Sequence, residues 1–183
     1  MGRVAVFNVK AATRRRQVRV DRPAEIFHSP FLGPHIIRRS PTGMTRQEAQ
    51  VFFDRRIDAW RERDIDTLVG GYAEDGVLES PIAGKATGRG AIEAVHRGFT
   101  MSFPDFTIEK RGLVIEDSCV VQIVTFSGTN TGGFMGVPAT GKRFTFPAAL
   151  ICTMRDDRIA HERRVYDFTG FLMEIGVLKA KSV

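Results

Sequence analysis

The polar residues best placed to do chemistry lie near the carboxyl terminus, in the stretch HERRVYDFTG, residues 161–170. Asp167 follows a strand-like run there and precedes a short helix-like segment. An aspartate at such a junction suits two roles. Its side chain can cap the helix that follows, or it can act as a general base if an apolar pocket raises its pKa. The residue types leave both roles open.

The residues before Asp167 bear on this choice. If the run is a regular strand, period-two alternation places His161, Arg163 and Asp167 on one face, together with Ile159 and Val165. If that face lines a cavity, Arg163 can pair with the Asp167 carboxylate and orient it. Such a pair lowers the pKa of the carboxyl group and weakens it as a base. We expect His161 and Arg163 to share the site of Asp167.

Three more side chains with polar atoms fall on predicted apolar faces. His96 lies beside the apolar stripe of a predicted helix over about 89–102, so its imidazole is either a core group bonded to a carbonyl or part of a pocket. Trp60 and Tyr72, which we predict on the first and second helices, leave the same two alternatives. As a pocket residue, His96 is the first candidate to stabilise an oxyanion, ahead of Tyr72, His161 and Arg163.

Other kinds of site find little support. The four histidines show no metal-ligand spacing with one another or with the cysteines, so we predict no metal. The glycine-rich stretch GTNTGGFMG lacks the Gly-Lys-Ser/Thr ending of a phosphate-binding loop, and we interpret it as a wide hairpin loop. No Gly-x-Ser-x-Gly motif indicates a nucleophilic serine. We predict no cofactor.

The elements that must position these residues are helices followed by strands. Residues 45–63 have the spacing of an amphipathic helix, with Thr45 and Glu48 as a capping box. A second, short helix is predicted from Asp64 to about Asp75, where Gly76 can end it. Strand-like runs follow at 106–118, 119–132, 142–157 and 158–167, and a short helix closes the chain. This order predicts an α+β fold, with a curved antiparallel sheet covered by helices on one face.

Length, composition and charge fit one domain in water. The chain has 183 residues, of which 43% are hydrophobic and 26% charged, and no run approaches the roughly 18 apolar residues of a membrane span. Residues 1–43 hold nine basic and two acidic residues, whereas residues 44–183 hold 18 and 19. The surplus charge therefore lies outside the predicted domain, and we predict neither a nucleic-acid nor a membrane partner.

Residues 1–43 are predicted to form a basic, Pro/Arg-rich and mostly irregular extension. Residues 44–183 are predicted to be a single domain, with Met44 as the native start. The two cysteines, Cys119 and Cys152, lie in apolar runs and are predicted to be reduced core residues. Two reduced cysteines indicate a reducing compartment, and we expect the protein in the cytoplasm.

The order of several motifs resembles a known family. Trp60, DIDTLVGGYAEDGVLESPIAG, GRGAIEAVHRGF, FPDF, GTNTGGFMGVPATGKRFTF and RIAHERRVYDFTGFLMEIGV resemble the SnoaL-like polyketide cyclase (ester cyclase) group of the nuclear transport factor 2-like superfamily, over about residues 45–178. The resemblance implies a cone-shaped α+β barrel, in which a strongly curved, mostly antiparallel sheet wraps around three N-terminal helices. It also implies an apolar pocket open at one end and a homodimer formed through the sheet.

For function, the resemblance implies a general base at the end of the last long strand, which is Asp167 here. Beside it we expect His96 to act as the oxyanion donor, because its helix should face the pocket. The implied reaction is a cofactor-independent aldol closure of a polyketide ester, or a related proton transfer, on a small hydrophobic molecule with carbonyl groups. We expect the pocket to be lined by aromatic residues and by the polar candidates above: Trp60, Tyr72, Phe99, Phe134, Phe146, His161 and Arg163. The alternatives are a non-catalytic ligand-binding or dimerisation module, and an isomerase or hydrolase that uses the same pocket.

Overall fold

The computed structural model describes residues 44–179. The prediction for residues 1–43 lies outside the described residues. The described part of the chain contains four helices and six strands in the order α1 Arg46–Glu62, α2 Ile65–Gly70, β1 Tyr72–Ser80, β2 Gly84–Thr87, α3 Arg89–Ser102, β3 Thr107–Glu116, β4 Cys119–Thr129, β5 Arg143–Arg155, β6 Arg158–Val165 and α4 Phe168–Glu174. None of these helices is long and apolar enough to span a membrane.

Helix α1 forms where the amphipathic pattern predicts it. The Glu48 N–H donates to the Thr45 hydroxyl, and the Thr45 N–H donates to the Glu48 carboxylate, so the predicted capping box is confirmed. The helix ends at Arg63, which adopts a left-handed conformation with φ 58°. Its buried face includes Arg56 and Trp60, and it packs against β3. Helix α3 also has its predicted bounds.

The second predicted helix is shorter than expected, and the prediction that Tyr72 lies on it is wrong. Helix α2 ends at Gly70, and Tyr72 begins β1. The Gly71 carbonyl accepts a hydrogen bond from the Ile159 N–H, which ties the chain to β6 at this point. Gly76 then lies at an irregularity of β1, where a Cβ atom would be 2.9 Å from the Ala73 carbonyl oxygen. Gly76 therefore permits a bulge instead of ending a helix.

The sheet has the strand order β2-β1-β6-β5-β4-β3. The antiparallel meander from β3 to β6 is confirmed, whereas β1 pairs with β6 in parallel. Helices α1, α3 and α4 pack on this curved, mixed sheet, which confirms the α+β class. The predicted hairpin loop is the β4–β5 connection. Cys152 is buried and Cys119 is exposed, so the prediction of a core position was wrong for Cys119.

A bulge in β6 determines which side chains face the helices. Thr153 of β5 pairs with His161 and Met154 pairs with Ile159, so Ala160 has no partner on β5. One inserted residue reverses the alternation beyond it. As a result, Ile159 and Glu162 are both buried, whereas Arg163 and Val165 are exposed. The predicted grouping of Ile159 with His161, Arg163, Val165 and Asp167 was therefore wrong.

Candidate functional site

The best-defined cavity, which we call the aromatic cavity, has a volume of about 300 Å³. This is at the small end of the range of ligand pockets, about 300–1,000 Å³. It lies between α1, α3 and the inner face of the sheet, and Met135, 63% exposed, brings it to the surface at the β4–β5 loop. Aromatic and small side chains line most of it: Trp60, Ser80, Ile82, Ala83, Ala94, Val95, Gly98, Phe99, Ser102, Phe126, Phe134, Met135, Phe146, Arg164 and Tyr166.

Arg164 is the single formally charged residue in this lining. Its side chain is 9% exposed, and its Nε donates to Glu162 Oε1 at 2.6 Å. The guanidinium carbon lies 5.2 Å from the centre of the Trp60 ring, within the range of a cation–π contact. These two contacts fix a positive charge at the wall of an otherwise apolar space.

Glu162 anchors the charges below the cavity. It is fully buried, and its Oε2 accepts from Arg56 Nη2 at 2.6 Å and from the Tyr72 hydroxyl at 2.8 Å. Burial by itself raises the pKa of this carboxyl group, but the charges of Arg164 and Arg56 outweigh burial and lower the pKa to about 2. Glu162 is therefore ionised at neutral pH. We call Arg56, Glu162 and Arg164 the buried charge cluster.

The titratable groups that touch this cluster are neutral. Burial and the nearby Glu162 charge raise the pKa of the Tyr72 hydroxyl and of the Cys152 thiol. Burial and the Arg164 charge lower the pKa of His96 well below its usual range. Each of these shifts favours the uncharged form at pH 7, so the charge of the cluster comes from its two arginines and its one glutamate.

His96 lies behind Arg164 and not on the cavity surface. Its Nε2 is 3.5 Å from Arg164 Nη2, and its ring centre is 4.7 Å from that of Trp60. Because a guanidinium only donates, Nε2 is the acceptor in this long contact and Nδ1 carries the proton. The buried Nδ1 has no hydrogen-bond partner among residues 44–179. His96 is thus a buried neutral imidazole beside the charged group of the cavity.

The structure brings four of the nine predicted site residues together in the cavity: Trp60, Phe99, Phe134 and Phe146. Tyr72 and His96 are fully buried next to the charge cluster and do not line the cavity.

The other three predicted residues lie elsewhere. His161 and Arg163 are on the outer face of β6, where both contact Glu79 Oε2, at 3.4 and 2.9 Å. Asp167 is exposed and is the N-cap of α4, because its Oδ1 accepts from the Gly170 N–H at 2.8 Å. Its carboxylate is not part of the cavity lining. The structure therefore shows the capping role, and the expected pair of Arg163 with Asp167 is replaced by a pair of Arg163 with Glu79.

Sequence reasoning missed Arg164, Tyr166 and Glu162, which lie on the opposite face of β6 from the one expected. The Tyr166 hydroxyl accepts from the Ile82 N–H at 3.2 Å, and its ring centre is 4.9 Å from that of Phe146. The one available signal was the alternation itself, which groups these three residues on a common face. It did not show that this face is the inner one, because the bulge at Ala160 leaves no mark in the sequence.

The described residues offer no metal centre. Among residues 44–179, no group of three or more His, Cys, Asp or Glu side chains is placed to hold a metal ion.

Several solved structures resemble this protein in fold. IdmH from Streptomyces antibioticus, for which polyketide cyclase activity has been suggested, is 27% identical over 71% of this chain and 99% of its own, with a TM-score of 0.60. TsrD from Streptomyces laurentii is 24% identical over 74% of this chain and 99% of its own, with a TM-score of 0.66. TerC, co-crystallised with polyporic acid, is 17% identical over 70% of this chain and 98% of its own, with a TM-score of 0.59. No curated protein sequence matches the chain.

A family model described as SnoaL-like polyketide cyclase matches residues 50–175, close to the range over which the sequence motifs resemble that family. The match spans well over half of the chain, and the solved structures share its curved sheet and helices. This protein therefore belongs to the SnoaL-like polyketide cyclase family.

Proposed function

We propose that this protein is a cofactor-independent enzyme of the cyclase or isomerase type, which moves a proton on a small, mostly apolar molecule that carries a carbonyl group. Family membership favours intramolecular aldol closure of a polyketide ester. The observation that carries the proposal is Arg164, a fixed cation in a cavity whose other lining residues are uncharged. The co-crystallisation of TerC with polyporic acid agrees with a small-molecule ligand for this fold.

Arg164 suits the chemistry of proton removal beside a carbonyl. When the proton leaves the α-carbon, negative charge develops on the carbonyl oxygen. A donor that is already fixed in place stabilises this enolate more than it stabilises the neutral ketone. Glu162 holds the guanidinium through Nε and His96 contacts Nη2, which leaves Nη1 for the ligand. The mostly apolar walls lower the local dielectric, so the interaction is stronger than it is in bulk solvent.

The sequence offers two proton acceptors, His96 and Asp167, and neither lines the cavity. His96 is the one that contacts the lining residue Arg164, and to act as the base it has to release its Nε2 from Arg164 and turn it towards the cavity. His96 is neutral and its Nε2 lies beside Arg164 Nη2. An enolate bound to Arg164 places negative charge near this ring, which raises the proton affinity of the imidazole as the proton leaves. Asp167 instead has its carboxylate bound to the Gly170 N–H, outside the cavity lining. To act as the base, Asp167 has to leave this cap.

The test is α-hydrogen exchange of 2-tetralone in D₂O, followed by NMR with the full chain. We expect the wild-type protein to accelerate the exchange. Loss of one oxyanion donor costs about 10²–10³ in rate, so Arg164→Met should lose most of the acceleration, whereas Arg163→Met on the outer face should keep it. A wild-type protein that binds the ketone without accelerating exchange would refute the enzyme proposal.

The same assay separates the two candidate bases. We expect His96→Gln to reduce the exchange rate by about 10²-fold or more, as is usual for loss of a general base. Asp167→Asn keeps the capping oxygen but loses basicity, so we expect its rate to stay near that of the wild type. The opposite pattern would identify Asp167 as the base and show that the β6–α4 corner rearranges when the substrate binds.

A second candidate function is ligand binding without catalysis. The observation that favours it is the lack of any carboxylate among the residues that line the aromatic cavity. A binding protein needs no proton acceptor, and Arg164 then serves only to orient its ligand. This function predicts tight binding of 2-tetralone analogues with no exchange above the uncatalysed rate.

We also propose that the protein is a homodimer that pairs through the outer face of its sheet. Ile123 of β4, Ala149 of β5 and Val165 of β6 are neighbours in the sheet register, and Ile123 and Val165 are 43% and 51% exposed. An exposed apolar row across three strands has the character of an interface core. Light scattering should give twice the mass of the chain, and Ile123→Glu should reduce it to one chain.

A further inference from the structure

The charges below the aromatic cavity do not balance. Arg56 and Arg164 are cations and Glu162 is the one anion, so the buried charge cluster carries a net charge of +1. We propose that the ligand of this cavity binds as an anion, with a delocalised oxyanion against the guanidinium of Arg164 and an apolar ring system against the aromatic walls. This inference rests on the proposed function, because it names the class of substrate for the same cavity.

The neighbouring groups do not supply the missing negative charge. Each element packed around the cluster contributes a neutral group: Trp60 from α1, Tyr72 from β1, His96 from α3 and Cys152 from β5. Burial raises the pKa of the Tyr72 hydroxyl and of the Cys152 thiol, so neither becomes an anion at neutral pH. Among the buried residues of 44–179, Glu162 is the one carboxylate.

The carboxylate that shares a surface depression with Arg164 is already engaged. Glu79 lies with Arg164 along a shallow depression at the edge of the sheet. Its Oε2 accepts from Arg163 Nη2 at 2.9 Å and is 3.4 Å from His161 Nε2, both on the outer face. Arg163 lowers the pKa of Glu79, as expected for a carboxylate with its own counterion. The charge of Arg164 is therefore left without a second partner.

The geometry of Arg164 leaves a place for an oxyanion. Its Nε is bound to Glu162 and its Nη2 makes the long contact with His96, whereas its Nη1 has no hydrogen bond to another described residue. An arginine remains charged at any physiological pH, and two buried arginines that share one carboxylate leave an excess positive charge, which is costly to bury. An anionic ligand removes this cost, and a guanidinium binds planar oxyanions with more than one N–H donor.

Two kinds of molecule carry such an oxyanion on an apolar ring system. A carboxylic acid brings a permanent charge. The enol of a cyclic β-diketone or hydroxyquinone acquires its charge by losing a proton, which is the step that the proposed enzyme accelerates. Both kinds of anion bind Arg164 in the same way. They can be told apart because only the enol changes its ionisation when it binds.

The first experiment compares 2-naphthoate with 2-naphthamide, its uncharged counterpart, by titration calorimetry with the full chain. The indole N–H resonance of Trp60, the one tryptophan of the chain, reports whether each ligand enters the cavity. We expect wild-type protein to bind the carboxylate about tenfold more tightly than the amide or better, because charge-assisted hydrogen bonds are about twice as strong as neutral ones. Arg164→Met should abolish the preference. Arg163→Met, on the outer face of the same strand, should keep it.

The second experiment uses indane-1,3-dione and follows its enolate by absorbance. We expect the bound diketone to ionise at a lower pH than the free one by about one unit or more, which corresponds to a tenfold preference for the anion. If Arg164→Met does not fold, Arg164→Lys takes its place in the experiment. It keeps a cation and should retain part of this shift. A diketone shift without a naphthoate preference indicates an enolate ligand, and both together indicate any planar oxyanion.

Two results would overturn the inference. One is equal binding of naphthoate and naphthamide by the wild type together with no shift in the ionisation of the diketone. The other is an anion preference that survives in Arg164→Met. Either result leaves the exchange of 2-tetralone intact as evidence for the proposed enzyme. If none of the three ligands shifts the Trp60 resonance, the cavity is not the binding site, and both the anion inference and the proposed function fall.

Discussion

Replacing Glu162 by glutamine should destabilise the fold strongly at neutral pH and weakly in acid. The carboxyl group of Glu162 has an ordinary pKa of 4.5 and a pKa of about 2 in the fold. A difference of that size corresponds to about 3 kcal/mol of folding free energy. This agrees with the cost of about 3–5 kcal/mol for removing one partner from a buried ion pair. Two buried arginines then remain without a carboxylate.

The sign of the pH dependence follows from the lowered pKa. The stabilisation by Glu162 is fully present above about pH 4.5, where the unfolded chain is also ionised. It is lost as the pH falls through the folded pKa of about 2. The difference in unfolding free energy between wild type and Glu162→Gln should therefore be largest near pH 7 and shrink between pH 4.5 and 2. Other carboxylates cancel in this difference because both proteins contain them.

Urea unfolding followed by the fluorescence of Trp60 measures this free energy, since Trp60 is the one tryptophan and lies above the cluster. Glu79→Gln is the matched control, because its pair with Arg163 is on the surface and such pairs contribute about 0–1 kcal/mol. Arg164→Met should cost about 1 kcal/mol or less, since the lost hydrogen bond to Glu162 is offset by reduced repulsion with Arg56. A loss below about 1 kcal/mol for Glu162→Gln, or one that does not change with pH, would refute the reasoning.

The remaining predictions concern Asp167, His96 and Gly76. Asp167→Ala should lower the unfolding free energy by about 1 kcal/mol in urea titrations and Asp167→Asn by much less, because only asparagine keeps a capping oxygen; equal losses would argue against the cap. The pKa of His96 is lowered by burial and by Arg164, so its NMR signals should show no protonation between pH 7 and the pH at which the fold is lost; a midpoint near pH 6.5 would contradict the burial of the imidazole. Gly76→Ala should lower the urea midpoint of unfolding by more than a typical surface substitution does, because its Cβ would lie 2.9 Å from the Ala73 carbonyl oxygen. An unchanged midpoint would mean that the bulge adapts.

Local signals of the sequence predicted most of the fold. The capping box of Thr45 and Glu48 marks the start of α1 because both interactions lie within one helical turn. The bounds of α3 and the four strands of the meander follow from periodicity in the same way. The error at Tyr72 has a different origin. Helical spacing of Leu68 and Tyr72 is compatible with a longer helix, and only the pairing of β1 with β6, about 85 residues later in the chain, overrides it.

The candidate site was harder to predict because it depends on one inserted residue. Alternation along β6 places Glu162, Arg164 and Tyr166 on one face, but we expected the cavity on the opposite face, with His161, Arg163 and Asp167. The bulge at Ala160 breaks the link between Ile159 and the residues after it. The alternating pattern of residue types does not mark the bulge, which is seen only in the pairing of β6 with β5. Sequence reasoning therefore found the aromatic walls of the cavity and placed the wrong polar residues beside them.

The buried charge cluster is better explained by chemistry than by stability. An ion pair buried in a protein contributes little net stability, and an apolar replacement of similar size often stabilises the fold. A chain selected only for stability would thus have no reason to keep Arg56, Glu162 and Arg164 in its interior. Arg164 alone reaches the cavity, whereas Glu162 binds its Nε and Arg56 balances part of the charge of Glu162. The pair of Arg56 and Glu162 is then the support that keeps one guanidinium charged, desolvated and fixed in position where a ligand oxygen can meet it.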